Sequence, residues 1–321
     1  MKVSEHMNTW LSFKRPILQR STYEAYTIYI TRHINPFFDN LGKDLEELRA
    51  VDVQGYTAYK LTGGRCDRKK GGLSARSVRM HLNIIKEAFD SAVIWGIIRA
   101  NPAAPIRVPR AKVKPEKVKF IGVEQAKDIL AAFEGHYLYD LVCVTLYYGL
   151  RRSEALGLKW SAVDFVHDSL TIRHTIVKTL TVEAKDSTKT ESSYRVYPLL
   201  PELKELLQKR KAAQAVESPY IFTDTKGKLF LPDTVTRGFQ RGLRRAGLEI
   251  IRFHDIRHAT ASILFDRGVP VADVQHWLGH SDFDTTMRIY VSYKKGRKME
   301  LGKNISGLFL PNPETPKTLI E

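Results

Sequence analysis

The run Asn101-Pro102-Ala103-Ala104-Pro105-Ile106-Arg107-Val108-Pro109-Arg110 limits what this chain can fold into more than any other stretch. Each proline fixes φ and removes a backbone donor, so prolines this dense end a helix and cannot sit inside a sheet. Continued by Lys112, Lys114, Pro115 and Lys117, the run reads as an extended basic linker over residues 101–118. It divides a chain of 321 residues into two parts, 1–100 and 119–304, each long enough to bury its own core, with a tail over 305–321.

Charge says what such a pair could hold. Lys and Arg total 51 against 35 for Asp and Glu, a net charge of +16. That excess favours a polyanionic partner; nucleic acid fits best, with a ribosomal or membrane surface as the alternatives. It is not confined to a tail, because residues 1–110 carry 18 basic and 10 acidic side chains and the remainder is equally basic. A linker of this kind can track a phosphate backbone while two domains close on a duplex. Hydrophobic residues at 43% and charged residues at 27% are ordinary for a globular protein.

Only Cys66 and Cys143 are present, in unlike settings. Cys143 lies in a largely apolar run and reads as a buried reduced thiol. Two such residues build neither a disulfide framework nor a zinc site, so a reducing cytoplasm is expected. No stretch approaches the ~20 apolar residues of a membrane span, and no signal-peptide core opens the chain.

Residues 1–100 read as helices: one around Trp10 and Leu11, one over Tyr23–Phe38, one over Val51–Leu61, and one starting at the N-cap Ser74. The last carries Val78, Leu82, Ile85, Phe89 and Val93 in a single apolar stripe. Gly63 to Gly72 is a basic loop, either solvated or in contact with phosphate. After the linker, helices are expected at Val123–Phe133, His136–Tyr148, Pro201–Ala213, Leu231–Ala246, His254–Phe265 and Val271–Leu278. Strands are expected at Ser169–Val177 and Tyr194–Leu199, with Lys178–Ser193 polar and turn-rich between them.

Four segments carry chemistry: Gly149-Leu150-Arg151-Arg152-Ser153-Glu154; Thr188-Lys189-Thr190-Glu191-Ser192-Ser193-Tyr194-Arg195; His254-Asp255-Ile256-Arg257-His258; and Leu278-Gly279-His280 followed by Thr285-Thr286-Met287-Arg288-Ile289-Tyr290. In this order they resemble the catalytic signature of tyrosine recombinases of the phage-integrase type. The resemblance implies a mainly α fold with a small β-sheet (α+β). Residues 1–100 would form a helical, SAM-like core-binding domain and 119–304 the mixed catalytic domain. It implies a site-specific recombinase, the integrase or transposase of a mobile element, working through a 3′-phosphotyrosyl intermediate with a free 5′ hydroxyl.

The residue types suit that chemistry. Arg151 and Arg257 offer permanently charged planar forks to the nonbridging oxygens of a scissile phosphate, and His280 a further donor. Losing one such contact typically costs about 3 kcal/mol. Tyr290 would attack, with His254 as its base, three residues before Arg257 and so on the same helix face. Lys189 resembles the family's general acid for the departing 5′ oxygen and fits the pattern better than Lys185. Tyr290 is preferred to Tyr293 because its offset of ten residues from His280 resembles the family's spacing.

Each residue also has a plainer reading. Arg151 and Glu154 could be a surface ion pair at a helix start. His254 and His258 could be metal ligands, although Arg257 between them and Asp255 in place of glutamate argue against it. Tyr290 and Tyr293 could be core aromatics. No metal and no cofactor is implied, since the bond energy stays in the enzyme–DNA ester; there is neither a Gly-x-x-x-x-Gly-Lys loop nor an acidic cluster suited to magnesium.

The implied partners are double-stranded DNA recombination sites, a homotetramer on two sites, and accessory DNA-bending or directionality factors, in the cytoplasm of a bacterial or phage-infected cell. Ile305, Leu308, Phe309 and Leu310 would dock on a neighbouring copy. A type IB topoisomerase-like enzyme and a non-catalytic DNA-binding protein of the same fold are the alternatives.

Overall fold

The computed structural model describes residues 1–67, 69–109, 121–173, 175–178, 182–185, 194–279, 286–287 and 289–291. Two units separate at residue 116, Met1–Glu116 and Lys117–Glu321.

The first unit contains α1 (Val3–Lys14), α2 (Arg20–Tyr29), α3 (Asn35–Leu41), α4 (Ala50–Thr62) and α5 (Ala75–Ile94). Ser74 caps α5 by accepting the Ser77 N–H at 3.1 Å. The stripe Val78, Leu82, Ile85 and Phe89 then shares one core with Trp10, Ile30, Ile34, Phe38 and Tyr56. The single helix expected over Tyr23–Phe38 is broken by a wider π turn at Ile30–Ile34. Pro36, in the first turn of α3, lacks the N–H that would continue the ladder, and the wider turn just ahead absorbs the mismatch.

Residues 101–109 are irregular, as their prolines require, but their apolar side chains are not idle. Ala103, Ile106 and Val108 are buried in the first core. Lys86 fastens the segment by donating to the carbonyls of Ala104 and Ile106 at 3.1 and 2.8 Å. Residues 110–118 of the expected linker lie outside the described residues. The Gly63–Gly72 loop uses part of its charge internally: Arg65 donates to Asp67 at 2.7 Å and to the Gly72 carbonyl at 3.1 Å. Lys69 and Lys70 stay exposed.

The second unit contains α6 (Val123–Phe133), α7 (Tyr139–Tyr148), α8 (Arg152–Leu156), β1 (Val163–Asp164), β2 (Ser169–Ile172), β3 (Thr175–Lys178), β4 (Val182–Lys185), β5 (Arg195–Pro198), α9 (Pro201–Ala213), α10 (Pro232–Arg245), α11 (Asp255–Asp266) and α12 (Val271–Leu278). Among the described residues the architecture is mainly α with a small antiparallel sheet, ordered β1-β2-β5, and a separate β3-β4 ribbon. The strand expected over Ser169–Val177 is therefore two strands with different partners. Its second half pairs with β4, inside the segment read as turn-rich, because ladder bonds use backbone groups and do not require an apolar face.

Ile172 stands opposite Arg195 and Leu170 opposite Tyr197, so the inward residues of β5 face the helices. Leu141, Val142, Tyr148, Leu170, Ile172, Tyr197, Phe239 and Phe253 share the second core. Cys143 lies in it, and burial pushes its thiol up to about 11, which suits a permanently reduced side chain.

Candidate active site

Two helix ends meet at this site. α7 terminates at Gly149 with φ +60°, and α12 at Gly279 with φ +64°. A Cβ on Gly149 would lie 2.3 Å from Leu278 Cδ2, and one on Gly279 would lie 1.9 Å from Arg195 Nη1, so neither position accommodates a larger residue. Aromatic contacts hold the ends together. Tyr197 packs 4.9 Å from both Tyr148 and Trp277, and its hydroxyl donates to the Trp277 carbonyl.

Arg257, in the first turn of α11, is fully buried behind this junction at 0% exposure. Its Nη1 donates to the Gly149 carbonyl and its Nη2 to the Leu278 carbonyl, both at 2.6 Å. Carbonyls at helix C-termini lack intrahelical partners and carry partial negative charge, so one guanidinium satisfies two helix ends at once. Burial, then the nearby Arg151, pushes Arg257 down to about 9, which leaves it charged at neutral pH.

Glu154 gathers the remaining cations. The residue is 1% exposed, so its pairing with Arg151 is not a surface ion pair. Oε1 accepts Arg151 Nη1 at 2.6 Å; Oε2 accepts the Arg151 backbone N–H at 2.8 Å and Arg195 Nη2 at 2.9 Å. Arg257 Nη1 stands 3.9 Å from Oε2. Burial works to raise the Glu154 pKa, but Arg195, Arg151 and Arg257 overcome it and hold the carboxyl below its usual range. Three guanidiniums around one carboxylate leave a positive surplus for an anion. Arg151, whose side chain is 32% exposed, is the member that reaches solvent, with Nη2 steadied by the Gly279 carbonyl at 2.9 Å.

His254 precedes α11 and is exposed, and its ring lies edge-on to His258 at 5.0 Å. Desolvation of the ring, then His258 and Arg257, lowers its pKa to about 4, so the imidazole is neutral at pH 7. Asp255 is committed elsewhere: it accepts the Arg252 N–H at 2.8 Å and pairs with the Arg252 side chain at 3.0 Å. Among the described residues no three His, Cys, Asp or Glu side chains gather as a metal site.

Tyr290 is half-buried, its ring edge-on to Phe265 of α11 at 5.2 Å. The preceding Ile289 is buried in a cluster with Phe265 and Leu278, the residue whose carbonyl takes Arg257. Lys189, His280 and the 305–321 tail lie outside the described residues. Of the residues selected from sequence, the structure gathers Arg151, Arg257 and His254 around α7 and α11 and packs Tyr290 against α11. Sequence reasoning missed Arg195 and the burial of Glu154. The available signal was a charged residue at an inward position of an alternating strand.

Comparison with known proteins identifies the family of the chain. Residues 119–297 match the model of the phage integrase family, and residues 2–61 that of the phage integrase N-terminal SAM-like domain. A tyrosine recombinase XerC-like protein of Caldanaerobacter subterraneus subsp. tengcongensis is 28% identical over 95% of this chain and 82% of its own length. The ICEBs1 integrase of Bacillus subtilis is 24% identical over 89% of this chain and 77% of its own. Among solved structures, a Tn1549 transposon integrase in complex with transposon right end DNA superposes with a TM-score of 0.72 at 19% identity, covering 94% of this chain and 100% of that one. A lambda integrase tetramer bound to a Holliday junction gives a TM-score of 0.66 at 19% identity, covering 88% and 78%. With more than half its length matched by the family model, the chain belongs to the phage integrase family of tyrosine recombinases.

Proposed function

We propose that this recombinase acts at specific DNA sites as the integrase or transposase of a mobile element, with Tyr290 as the nucleophile. The observation that carries the reading is the convergence of Arg151, Arg195 and Arg257 on the buried Glu154 at the joined ends of α7 and α12. A phosphodiester anion repels an attacking oxygen unless charge on its nonbridging oxygens is neutralised as the pentacoordinate state forms, and preorganised cations do this without reorganising. Arg151 would meet the phosphate from the solvent side. Arg257 would supply charge from behind and hold both helix ends in place.

In the cleavage step the Tyr290 oxygen bonds to phosphorus and the bond to the 5′ oxygen breaks. The phenolic proton passes to His254, the candidate base at the start of α11. Lys189 donates a proton to the departing 5′ oxygen, and His280 adds a hydrogen bond to the phosphate. A 5′ hydroxyl of the partner strand then attacks the phosphotyrosyl ester and reverses each transfer.

The net charge of +16 and the exposed Arg237, Arg241, Arg244 and Arg245 of α10 support binding to the DNA backbone. Residues 1–100 would act as the core-binding domain. By analogy with the lambda integrase tetramer, four copies would assemble on two recombination sites, aided by accessory DNA-bending factors, in the DNA-containing cytoplasm.

A nicked suicide duplex tests the reading, because loss of the short 5′ fragment traps the covalent step. The full chain is expected to form a covalent protein–DNA adduct that Tyr290→Phe abolishes while still binding the duplex. Absence of an adduct from the intact protein would make it a binding protein. Relaxation of supercoils without exchange between two sites would make it topoisomerase-like.

A further inference from the structure

We infer that Arg195 is a positioning residue for this reaction: it fixes the Glu154 carboxylate and supports the Gly279 turn, so that Arg151 meets the scissile phosphate correctly oriented. The inference rests on the recombinase reading above.

Arg195 opens β5 at an inward position and is 8% exposed. Its Nη2 donates to Glu154 at 2.9 Å, and its guanidinium lies 5.7 Å from the centre of the Tyr197 ring. Nε and Nη1 are buried without a hydrogen-bond partner among the described residues. A buried cation with two N–H groups unmet by any described residue is a poor contributor to stability, and an apolar side chain of similar size would fill the space at lower cost. An apolar side chain in its place could fill the space but could not hold the Glu154 carboxylate.

The contacts show what that is. Glu154 Oε2 is held by Arg195 and by the Arg151 backbone N–H, which turns Oε1 toward Arg151 Nη1. Arg195 thus sets the orientation of Arg151 through the carboxylate between them. It also fills the space beside Gly279, with Nη1 only 1.9 Å and Cδ 2.8 Å from where a Cβ would stand. The Gly279 carbonyl is the second anchor of Arg151, so Arg195 holds one support of the solvent-facing guanidinium and packs beside the turn that carries the other.

The groups facing Glu154 are Arg151 from the turn before α8, Arg195 and Tyr197 from β5, and Arg257 from α11. Of these, Arg195 does most to keep the carboxyl ionised. Without it Glu154 would take a proton at higher pH, and a protonated Glu154 no longer holds Arg151. The acid limb of cleavage should then move upward.

The test uses the full chain on the nicked suicide duplex, with wild-type adduct formation as the control; failure of that control would refute the recombinase reading itself. Arg195→Met is expected to bind duplex within about twofold of wild type while cleaving at least ~30-fold more slowly, with its acid limb moved to higher pH. Arg195→Lys, which keeps the charge but not the fork, should hold the wild-type acid limb and recover part of the rate. Gly279→Ala should lower the melting temperature less in the Arg195→Met background than in wild type, because the crowding atom is gone. Wild-type cleavage by either Arg195 variant would overturn the inference. So would a rate loss that only follows lost binding and melting temperature, with no change in the pH profile. If Arg195→Met does not fold, the rate and acid limb of Arg195→Lys decide the matter.

Discussion

Arg151 and Arg257 carry the same charge and meet at the same junction, yet one side chain is 32% exposed and the other is 1% exposed. Their substitutions should therefore fail in different ways. Arg151→Ala is expected to slow single-turnover cleavage on the order of 100-fold with little change in melting temperature, because on the proposed reading it removes charge beside the scissile phosphate. Arg257→Met leaves the Gly149 and Leu278 carbonyls without their donor and should cost about 3 kcal/mol, or roughly 6–12 °C in melting temperature, as well as activity. Equal thermal losses in both variants would contradict the division between a solvent-facing and a buried guanidinium. The identities of these arginines were legible in sequence because the motif segments preserve their local spacing. Their division of labour was not, since burial depends on how residues 149, 257 and 278 come together in space.

The helices show which patterns local sequence can carry. Val123–Phe133, Pro201–Ala213 and Val271–Leu278 have the bounds read from the sequence, because apolar periodicity marks their inner faces and a Gly or Pro marks each start. The β3–β4 ribbon was hidden because its pairing depends on backbone groups rather than an apolar pattern. Arg195 was hidden for a related reason: only the β2–β5 register turns it inward, toward residues 41 and 84 positions away. The junction of α7 and α12 can be tested as an element. Gly149→Ala would force a non-glycine residue to φ +60° and place its Cβ against Leu278, so a loss of at least about 2 kcal/mol in urea unfolding is expected. A loss below about 0.5 kcal/mol, within the scatter of surface changes, would mean that the two helix ends are not held this closely.

At the scale of the molecule, the basic excess in both parts of the chain was the earliest sign of a nucleic-acid partner, and the family match agrees with it. Composition could not say which chemistry the charge serves; that required the motif order and then the geometry around Glu154. Assembly makes its own demand. If residues 305–321 dock on a neighbouring copy, deleting them should leave duplex binding intact while weakening synapsis of two sites, read as loss of the two-duplex complex in a gel. Unchanged recombination by the truncated chain would rule that role out.

On the proposed reading, the phenol oxygen of Tyr290 becomes bonded to a DNA 3′ phosphate. Proteolysis of the trapped adduct followed by mass spectrometry reads that bond directly. The expected result is a nucleotide-bearing peptide with the added mass on Tyr290; added mass on Tyr293 or another residue instead would contradict the account.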